Sequence, residues 1–329
     1  RMWEVAPEFS DIFSNLGITF LRNRLTKLNL NENVVEFSDD LKIHYKYLVL
    51  CTGSVPNSFA VQGVSENCHF FNSLDDLAKL KSVLKSIQNK NENKKLYVIG
   101  AGPSGVEIAC KIKDIHKNLI DITIVERSNE ILSNNKIFNR EEAEKAIEEK
   151  KINLMLNSTV LEISKNHISI SNNDLIENLD QDIVIWTAGV KSNLPLTDRK
   201  ISQINGRILV NKNFQIDTFT NSFAIGDISI IDGMEDLPIT AQVAMQEGNH
   251  LAKNIELLIQ EKDLLPFEYK DNGEMISLGI GKASISSQGL TLSGKLAFEV
   301  RRLVYVAKMP VIGKTLKSTA SWLIQRKSI

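Results

Sequence analysis

The sequence is short of cysteine, and the three cysteines that it has are not spaced for joint chemistry. Cys51, Cys68 and Cys110 form no C-x-x-C pair and leave an odd number. This usage excludes a secreted scaffold held together by disulfides and favours a reducing compartment. It also argues against an oxidoreductase that works through a C-x-x-C dithiol.

Long apolar runs, metal-ligand clusters and a strong net charge are missing as well. No 18 consecutive residues are apolar, so the sequence predicts no membrane-spanning helix. The net charge is −1, which gives no global field to attract nucleic acid, and we expect no nucleic-acid partner. The histidines are scattered and form neither a metal site nor a Ser/His/Asp pattern, so no metal is predicted. They are His44, His69, His116, His167 and His250.

What is present is the composition of an ordinary globular protein, with 43% hydrophobic and 24% charged residues. The 329 residues are enough for about two domains. The residue pattern predicts strands at Ile18–Leu21 and Val34–Phe37, a helix over 73–88 and a polar surface loop over 88–95.

A short apolar strand that begins at Leu96 runs directly into a glycine-rich turn with the pattern G-x-G-x-x-G. Its residues are Gly100, Gly102, Pro103, Ser104 and Gly105. A helix-like stretch follows, and a second strand, Ile122–Val125, then ends on Glu126. In a dinucleotide-binding βαβ unit the three glycines allow a tight turn, a close approach of the diphosphate and close helix packing. The helix N-terminus attracts the phosphates, and the terminal carboxylate accepts hydrogen bonds from the ribose. The sequence therefore predicts a dinucleotide site; a βαβ unit that binds no nucleotide is the alternative.

The pair Glu126 and Arg127 bears on the choice between NADH and NADPH. A carboxylate repels the 2′-phosphate of NADPH, whereas a guanidinium pairs with it. We therefore expect a modest preference for NADH.

Two further strands end in small-residue turns. Tyr47–Leu50 leads into Cys51-Thr52-Gly53, and Ile183–Trp186 leads into Thr187-Ala188-Gly189. Their similarity predicts that the chain passes between two nucleotide-binding domains at these places. A later strand closes on Gly226-Asp227, and residues 240–259 have the pattern of an amphipathic helix.

The C-terminal segment is strongly basic. Residues 291–329 contain eight Lys or Arg and one Glu, a net charge of +7, so the rest of the chain carries −8. Apolar and basic residues alternate on both sides of Pro310, with Arg301 and Arg302 before it and Trp322 after it. This pattern is typical of a segment that lies on a membrane surface, with basic side chains at anionic headgroups. A basic helical cap on the fold, or a homodimer contact, is the alternative.

Taken in order, these motifs resemble the type II NAD(P)H:quinone oxidoreductases, the single-subunit flavoenzymes of respiratory and photosynthetic membranes that pump no protons. The resemblance covers nearly the whole chain. It rests on Thr52-Gly53, the run from Gly100 to Glu107, Ile185–Gly189, Phe223–Asp227 and the run A-Q-V-A-M-Q-E-G from Ala241 to Gly248. The stretch Leu290–Met309 is most similar to the cyanobacterial and plastid branch, some of whose members act on phylloquinone-type naphthoquinones.

The resemblance implies an α/β fold of two nested Rossmann-like nucleotide-binding domains, an FAD domain with an inserted NAD(P)H domain, plus a basic amphipathic C-terminal region. On that basis we expect an incomplete first part of the FAD domain at 1–71, the NAD(P)H domain at 72–190, the second part of the FAD domain at 191–262 and the C-terminal region at 263–329. The implied reaction is hydride transfer from NAD(P)H to FAD, and then transfer of two electrons to a membrane quinone. The implied location is peripheral, on the cytoplasmic side of a membrane.

The resemblance also implies the site residues. Glu107 would lie near the nicotinamide, while Gln242 and Gln246 would share one helix face on the quinone side of the flavin. Cofactor contacts are expected at Thr52, Gly53, Gly100, Gly102, Pro103, Ser104, Gly105, Glu126, Arg127, Ala188, Gly189, Gly226, Asp227, Ala241 and Gln242. Four of these residues have an ordinary alternative role. Glu107 in the first helical turn would stabilise the helix dipole, Gln242 and Gln246 would be solvated, and Asp227 would close a turn.

Two departures from the family pattern are evident. These enzymes carry an earlier G-x-G-x-x-G for FAD near their N-terminus, which this sequence lacks, so we expect a truncated chain. Many relatives have His where this chain has Met245, which removes a proton donor.

Two other functions remain open at this point. One is a soluble flavin-dependent NAD(P)H reductase of an iron–sulfur or ferredoxin-type partner, which would not need a lipid-binding tail. The other is a non-catalytic NAD(H)-binding redox sensor. A sulfide:quinone reductase is disfavoured because it needs cooperating thiols.

Overall fold

The structure is a computed structural model, and it describes residues 8–13, 16–90, 93–173 and 175–308. Its helices are α1 (Phe9–Phe13), α2 (Val64–Asn67), α3 (Leu74–Lys90), α4 (Pro103–His116), α5 (Ile137–Glu149), α6 (Ala241–Ile259) and α7 (Gly294–Ala307). Its strands are β1 (Leu25–Asn29), β2 (Val34–Phe37), β3 (Lys42–His44), β4 (Leu48–Leu50), β5 (Ser54–Pro56), β6 (His69–Phe70), β7 (Lys94–Ile99), β8 (Ile120–Val125), β9 (Asn153–Met155), β10 (Ser158–Ile163), β11 (His167–Asn172), β12 (Leu175–Asp180), β13 (Ile183–Trp186), β14 (Val190–Ser192), β15 (Leu196–Thr197), β16 (Gln203–Ile204), β17 (Arg207–Val210), β18 (Ser222–Ala224), β19 (Ser229–Ile231), β20 (Glu274–Ser277), β21 (Ala283–Ser287) and β22 (Leu290–Ser293).

The chain divides into two compact units. The first comprises 1–21, 58–188 and 272–329, and the second comprises 22–57 and 189–271. The domain boundaries expected from the sequence, after residues 71, 190 and 262, stay a prediction.

The first unit is built on a five-stranded parallel sheet in the order β6-β13-β7-β8-β9. Its central strands are apolar on both faces, as expected for a parallel sheet that is covered on both sides. On β7, Leu96 and Val98 pack with one core cluster, whereas Tyr97 and Ile99 pack with another. The first cluster includes residues of α3, α4 and α5, and the second includes residues of the antiparallel sheet β10-β11-β12. The sheet therefore lies between a helical layer and a second sheet.

A three-stranded antiparallel sheet, β20-β21-β22, also belongs to the first unit. Ile276 and Leu278 from this segment join the helical core cluster, while α7 packs against β21 and β22. Glu274 anchors the sheet to the start of α5, because its carboxylate accepts hydrogen bonds from the backbone of Lys136 and the side chain of Asn139.

The second unit contains the mixed sheet β15-β1-β2-β3, the three-stranded sheet β16-β17-β19 and the pairs β4–β18 and β5–β14. β4 and β18 run parallel, so that the two turns that follow them leave the same end. A single cluster fills this unit, with Phe214, Phe223 and Phe267 fully buried in it.

Two expectations about local structure are wrong. Ile18–Leu21 is not a strand and its side chains are exposed, because none of the described strands pairs with this segment. The polar stretch 88–95 is not all loop, since α3 continues to Lys90 and β7 begins at Lys94. Polar composition there does not mark the end of the helix. Within the described ranges, none of the helices has the length and apolar character needed to cross a bilayer.

Candidate active site

The glycine-rich turn joins β7 to α4 at the carboxyl end of the parallel sheet. Gly100 has φ +101°, and a Cβ there would lie 2.9 Å from the Cα of Ala188. A Cβ on Gly105 would lie 1.9 Å from the carbonyl oxygen of Gly100, so that only glycine lets α4 approach this closely. Around Gly102, in contrast, a Cβ would meet no atom within 4 Å. The first and third glycines are therefore required by packing, and the second leaves the turn open.

The start of α4 is arranged as an anion site. Gly102 is the N-cap in an extended conformation, Pro103 begins the helix, and no side chain caps this end. Gly102, Pro103 and Ser104 are all exposed. The first amides of a helix carry a partial positive charge and lack partners within the helix. This end of α4 can therefore receive a diphosphate.

Glu126 follows β8 and reaches back to the glycine-rich turn. One carboxylate oxygen accepts a hydrogen bond from the backbone N–H of Ala101 and the other from that of Ser128, both at 2.8 Å. A carboxylate oxygen can accept a second bond, so Glu126 remains able to receive a ribose hydroxyl. Arg127 beside it is exposed.

Thr187, at the end of β13, closes the other side of this turn. Its hydroxyl donates to the carbonyl oxygens of Ile99, at 2.8 Å, and Gly100, at 3.2 Å. We did not single out Thr187 from the sequence, although a threonine at the end of the neighbouring strand was the available signal. Trp186, just before it, is 4% exposed and lies in a core cluster.

Glu107 lies in the second turn of α4 and not in the first, so its interpretation as a dipole-stabilising residue is wrong. Its carboxylate accepts a hydrogen bond from the backbone N–H of Ser277, at 2.8 Å, and pairs with Arg301 at 3.1 Å. Burial raises the pKa of Glu107, while Arg301 and the Ser277 amide oppose that rise. This acid therefore links α4 to the C-terminal sheet and to α7.

The partner of Glu107 was missed by the sequence analysis. We expected Arg301 among the basic residues that face headgroups, but its side chain is only 18% exposed and its guanidinium stacks over the ring of Tyr305 at 4.8 Å. Charge alone could not separate inward from outward arginines on the helix. The apolar residues on the outer surface of α7 are Leu296, Leu303 and Tyr305, each at least 50% exposed.

In the second unit, Asp227 lies in a single 3₁₀ turn, Gly226–Ile228, directly after β18. Its carboxylate accepts a hydrogen bond from the hydroxyl of Ser54 at 2.7 Å. The backbone N–H of Gly226 donates to the carboxylate of Glu247, which is 3% exposed and reaches the turn from α6. Burial raises the pKa of Glu247. Glu247 was not among the expected site residues, yet it holds the Gly-Asp turn in place.

Two neighbouring cavities open beside this turn, and the larger has a volume of about 220 Å³. Asp227, Arg207, Ile230 and Ile239 line both of them. The smaller cavity also reaches Thr240, the residue that caps α6 with its hydroxyl. Asp227, Arg207 and the start of α6 thus line the smaller cavity of the second unit together.

The remaining expected residues lie in the turns after β4 and β13 or at the start of α6. Thr52 donates its hydroxyl to the backbone of Asn193 at 2.8 Å, and Gly53 takes a positive φ of +66°. The carbonyl of Gly189 accepts a bond from Asn57. Ala241 is the first residue of α6.

Gln242 and Gln246 share one face of α6, as their spacing predicts. Gln242 donates to the hydroxyl of Tyr269 at 2.9 Å. Gln246 exchanges two hydrogen bonds with the backbone of Lys270, at 2.8 and 3.0 Å. Both are therefore tied to the 269–270 segment rather than merely solvated, whereas Met245 is 46% exposed.

Comparison with known proteins gives one consistent family. The profile of the pyridine nucleotide-disulphide oxidoreductases matches residues 5–248. The chain is 30% identical to demethylphylloquinone reductase NdbB of Synechocystis, over 98% of this chain and 82% of that protein. It is 29% identical to the alternative NAD(P)H-ubiquinone oxidoreductase C1, chloroplastic/mitochondrial, of Arabidopsis thaliana, over 98% of this chain and 69% of that protein.

Solved structures agree on the fold. NDH2 of Plasmodium falciparum, in complex with NADH, superposes with a TM-score of 0.79 over 93% of this chain and 83% of that one, at 17% identity. The sulfide:quinone oxidoreductase of Aquifex aeolicus gives a TM-score of 0.74 over 90% and 76%, at 18% identity.

Gly105 is closely packed and Gly102 is not, so their alanine variants should differ in opposite ways in stability and in NADH binding. Gly105→Ala forces a backbone shift and should cost about 1–3 kcal/mol of unfolding free energy. Gly102→Ala meets no atom and should fold normally, but its methyl group should weaken NADH binding by about tenfold or more, since it occupies the space that a diphosphate needs. Urea unfolding and NADH fluorescence titration measure the two effects. Wild-type NADH affinity in Gly102→Ala would contradict the assignment of this turn.

The ion pair between Glu107 and Arg301 predicts a pH-dependent stability. Because the pKa of Glu107 is raised in the folded state, its contribution is present at low pH and is lost as pH rises through that pKa. Arg301→Met removes the charge that opposes the rise, so this variant should lose more stability between about pH 4 and pH 8 than the wild type. Arg301→Met combined with Glu107→Gln should remove the extra loss. Arg302→Met, which alters the arginine paired with Glu299, is the control; if all four unfolding profiles run parallel, the pairing is not as described.

Proposed function

The chain belongs to the pyridine nucleotide-disulphide oxidoreductase family, among the type II NAD(P)H:quinone oxidoreductases, and we propose that it oxidises NAD(P)H and reduces a membrane quinone by way of FAD. The open turn at Gly102 is the observation that carries this proposal. It offers a diphosphate the uncapped start of α4, with Glu126 fixed beside it for a ribose. The NAD(P)H-binding domain would then correspond to residues 72–190.

The second unit fits FAD. Asp227 presents a carboxylate to the cavity, where it can accept hydrogen bonds from ribityl hydroxyls. The start of α6, with Ala241 and Gln242, brings a partial positive charge to the smaller cavity, which suits a flavin ring that gains charge on reduction. A bound flavin would supply the redox chemistry, acceptance of a hydride from the nicotinamide followed by delivery of two electrons to the quinone, which also takes up two protons. The described residues position and orient it.

We propose a naphthoquinone as the acceptor and NADH as the favoured donor. One similar protein is named a demethylphylloquinone reductase, which supports the quinone class. The carboxylate of Glu126 is fixed by two backbone amides, so it cannot easily turn aside to admit a 2′-phosphate.

The thiols do not support sulfide chemistry. All three cysteines are free, and burial raises the pKa of Cys68 and of Cys110 to about 12. A thiol with such a pKa is protonated at neutral pH and is a poor nucleophile. The structural likeness to a sulfide:quinone oxidoreductase is therefore one of fold.

We also propose that α7 lies on an anionic membrane surface, where a lipid-soluble quinone is found. Leu296 and Leu303 are 64% and 62% exposed, and the exposed Lys295 and Lys308 stand at the two ends of the helix. An apolar stripe with basic ends is the pattern of an interfacial helix. The rest of the basic segment, from 309 onward, lies outside the described residues. The homodimer contact is the rival explanation of the same stripe.

An anaerobic visible spectrum tests the reaction. With FAD added, NADH should bleach the flavin band of the purified chain, and a naphthoquinone should restore it. A flavin that NADH reduces but only a ferredoxin-type protein reoxidises would favour the soluble reductase. NADH binding without any flavin would favour the sensor.

A single leucine tests the membrane proposal. Leu303→Glu should lower binding to anionic phospholipid vesicles by about tenfold, because it replaces the exposed apolar side chain that would enter the membrane surface by a charge that the headgroups repel. Leu175→Glu is the matched control, since Leu175 is 71% exposed on β12. Vesicle sedimentation measures binding, and sedimentation velocity without lipid measures self-association. Unchanged vesicle binding with a lost dimer would replace the membrane proposal by the dimer contact.

A further inference from the structure

Arg207 is a cation in the cavity wall of the second unit that forms no ion pair with the described residues. It begins β17, which pairs in parallel with β19 directly after the Gly-Asp turn. Its side chain lines both cavities beside that turn, and its Nε is buried with no hydrogen-bond partner. Among the described residues no carboxylate lies within 4.0 Å of its guanidinium, so no ion pair satisfies it. A buried donor left unsatisfied costs stability, and it marks a place where a further group is expected.

The charges around Arg207 explain why a cation stands here. Asp227 and Glu247 both line the smaller cavity, and from the described residues each accepts a single neutral donor, the Ser54 hydroxyl and the Gly226 amide respectively. Two carboxylates in one cavity repel an anionic ligand. The Arg207 guanidinium stays protonated and offsets them, since both acids counteract the lowering of its pKa by burial.

The donors and acceptors of the cavity are complementary to two different parts of one ligand. A carboxylate can only accept, so Asp227 suits hydroxyl groups. A guanidinium can only donate, in a fork that matches phosphate oxygens. FAD carries both groups, a ribityl chain and a diphosphate, next to each other.

We propose that Arg207 binds the diphosphate of FAD and offsets the charge of Asp227 and Glu247. The inference rests on the proposed function, because it assumes that the second unit binds FAD. It adds a residue that none of the sequence motifs contains. Arg207 would also give the FAD diphosphate a contact in the second unit that does not depend on a glycine-rich loop.

Flavin binding to the purified chain tests the proposal without an activity assay. Quenching of flavin fluorescence is titrated with FAD and with riboflavin, which lacks the diphosphate. In Arg207→Met the Kd for FAD should rise about tenfold or more, while the Kd for riboflavin should stay within about twofold. Arg207→Lys, which keeps the charge, should recover part of the FAD affinity. Arg199→Met removes the same charge from an exposed arginine that stacks over Phe219, away from the cavities, and should bind both flavins as the wild type does.

Unfolding without flavin separates binding from folding. Arg207 makes no ion pair with the described residues, so Arg207→Met loses only the longer-range attraction to Asp227 and Glu247 and should unfold at a urea concentration close to that of the wild type. A large loss of stability would make Arg207 a structural residue, and equal losses of FAD and riboflavin affinity would place its contact away from the diphosphate; either result overturns the proposal. If the wild type binds FAD and Arg207→Met binds it equally well, the inference alone fails. If the wild type binds no FAD, the proposed function fails and the inference falls with it.

Discussion

The close approach of α4 to the strand before it is the constraint on which the first unit depends. A side chain on Gly105 would meet the carbonyl of Gly100 at 1.9 Å, so the helix can start here only because that side chain is missing. Once α4 is in this position, its uncapped N-terminus lies at the carboxyl end of β7 beside Gly102, and the carboxylate of Glu126 can reach the turn. The uncapped helix start is thus a consequence of a packing distance, and the proposed diphosphate site depends on it.

Carboxylates that accept backbone amides hold the segments around both candidate sites. Glu126 fixes the glycine-rich turn, Glu107 holds the C-terminal sheet, and Glu247 holds the Gly-Asp turn. A charge-assisted bond of this kind is stronger than a neutral one, and burial makes its loss costly. The acids that a motif search marks as candidates for chemistry therefore also set the backbone geometry. For Glu107 and Glu247 burial raises the pKa, so these same contacts respond to pH.

The sequence predicted those features of the structure that depend only on neighbouring residues in the chain. A glycine that must lack a side chain, a strand of alternating core contacts and a helix of regular spacing are local properties, so β7, α4 and the shared face of Gln242 and Gln246 could be predicted. The inward direction of Arg301 and the absence of a strand at Ile18–Leu21 depend on which distant segment comes to lie beside them. Arg207 shows the same limit, because its role depends on a cavity and not on its neighbours in the chain. The functions of the site residues also depend on what binds beside them, so they stay predictions.

We propose that one dinucleotide binds in each unit, against a turn at the end of a parallel strand: the uncapped turn at Gly102 in the first unit and the Gly-Asp turn in the second. A crystal structure of the chain with FAD and NAD⁺ tests this most directly. The expected result is the NAD⁺ diphosphate against Gly102 with its ribose on Glu126, and FAD in the second unit with its ribityl chain on Asp227. A dinucleotide bound elsewhere, with the Gly102 turn left empty at saturating NAD⁺, would contradict it.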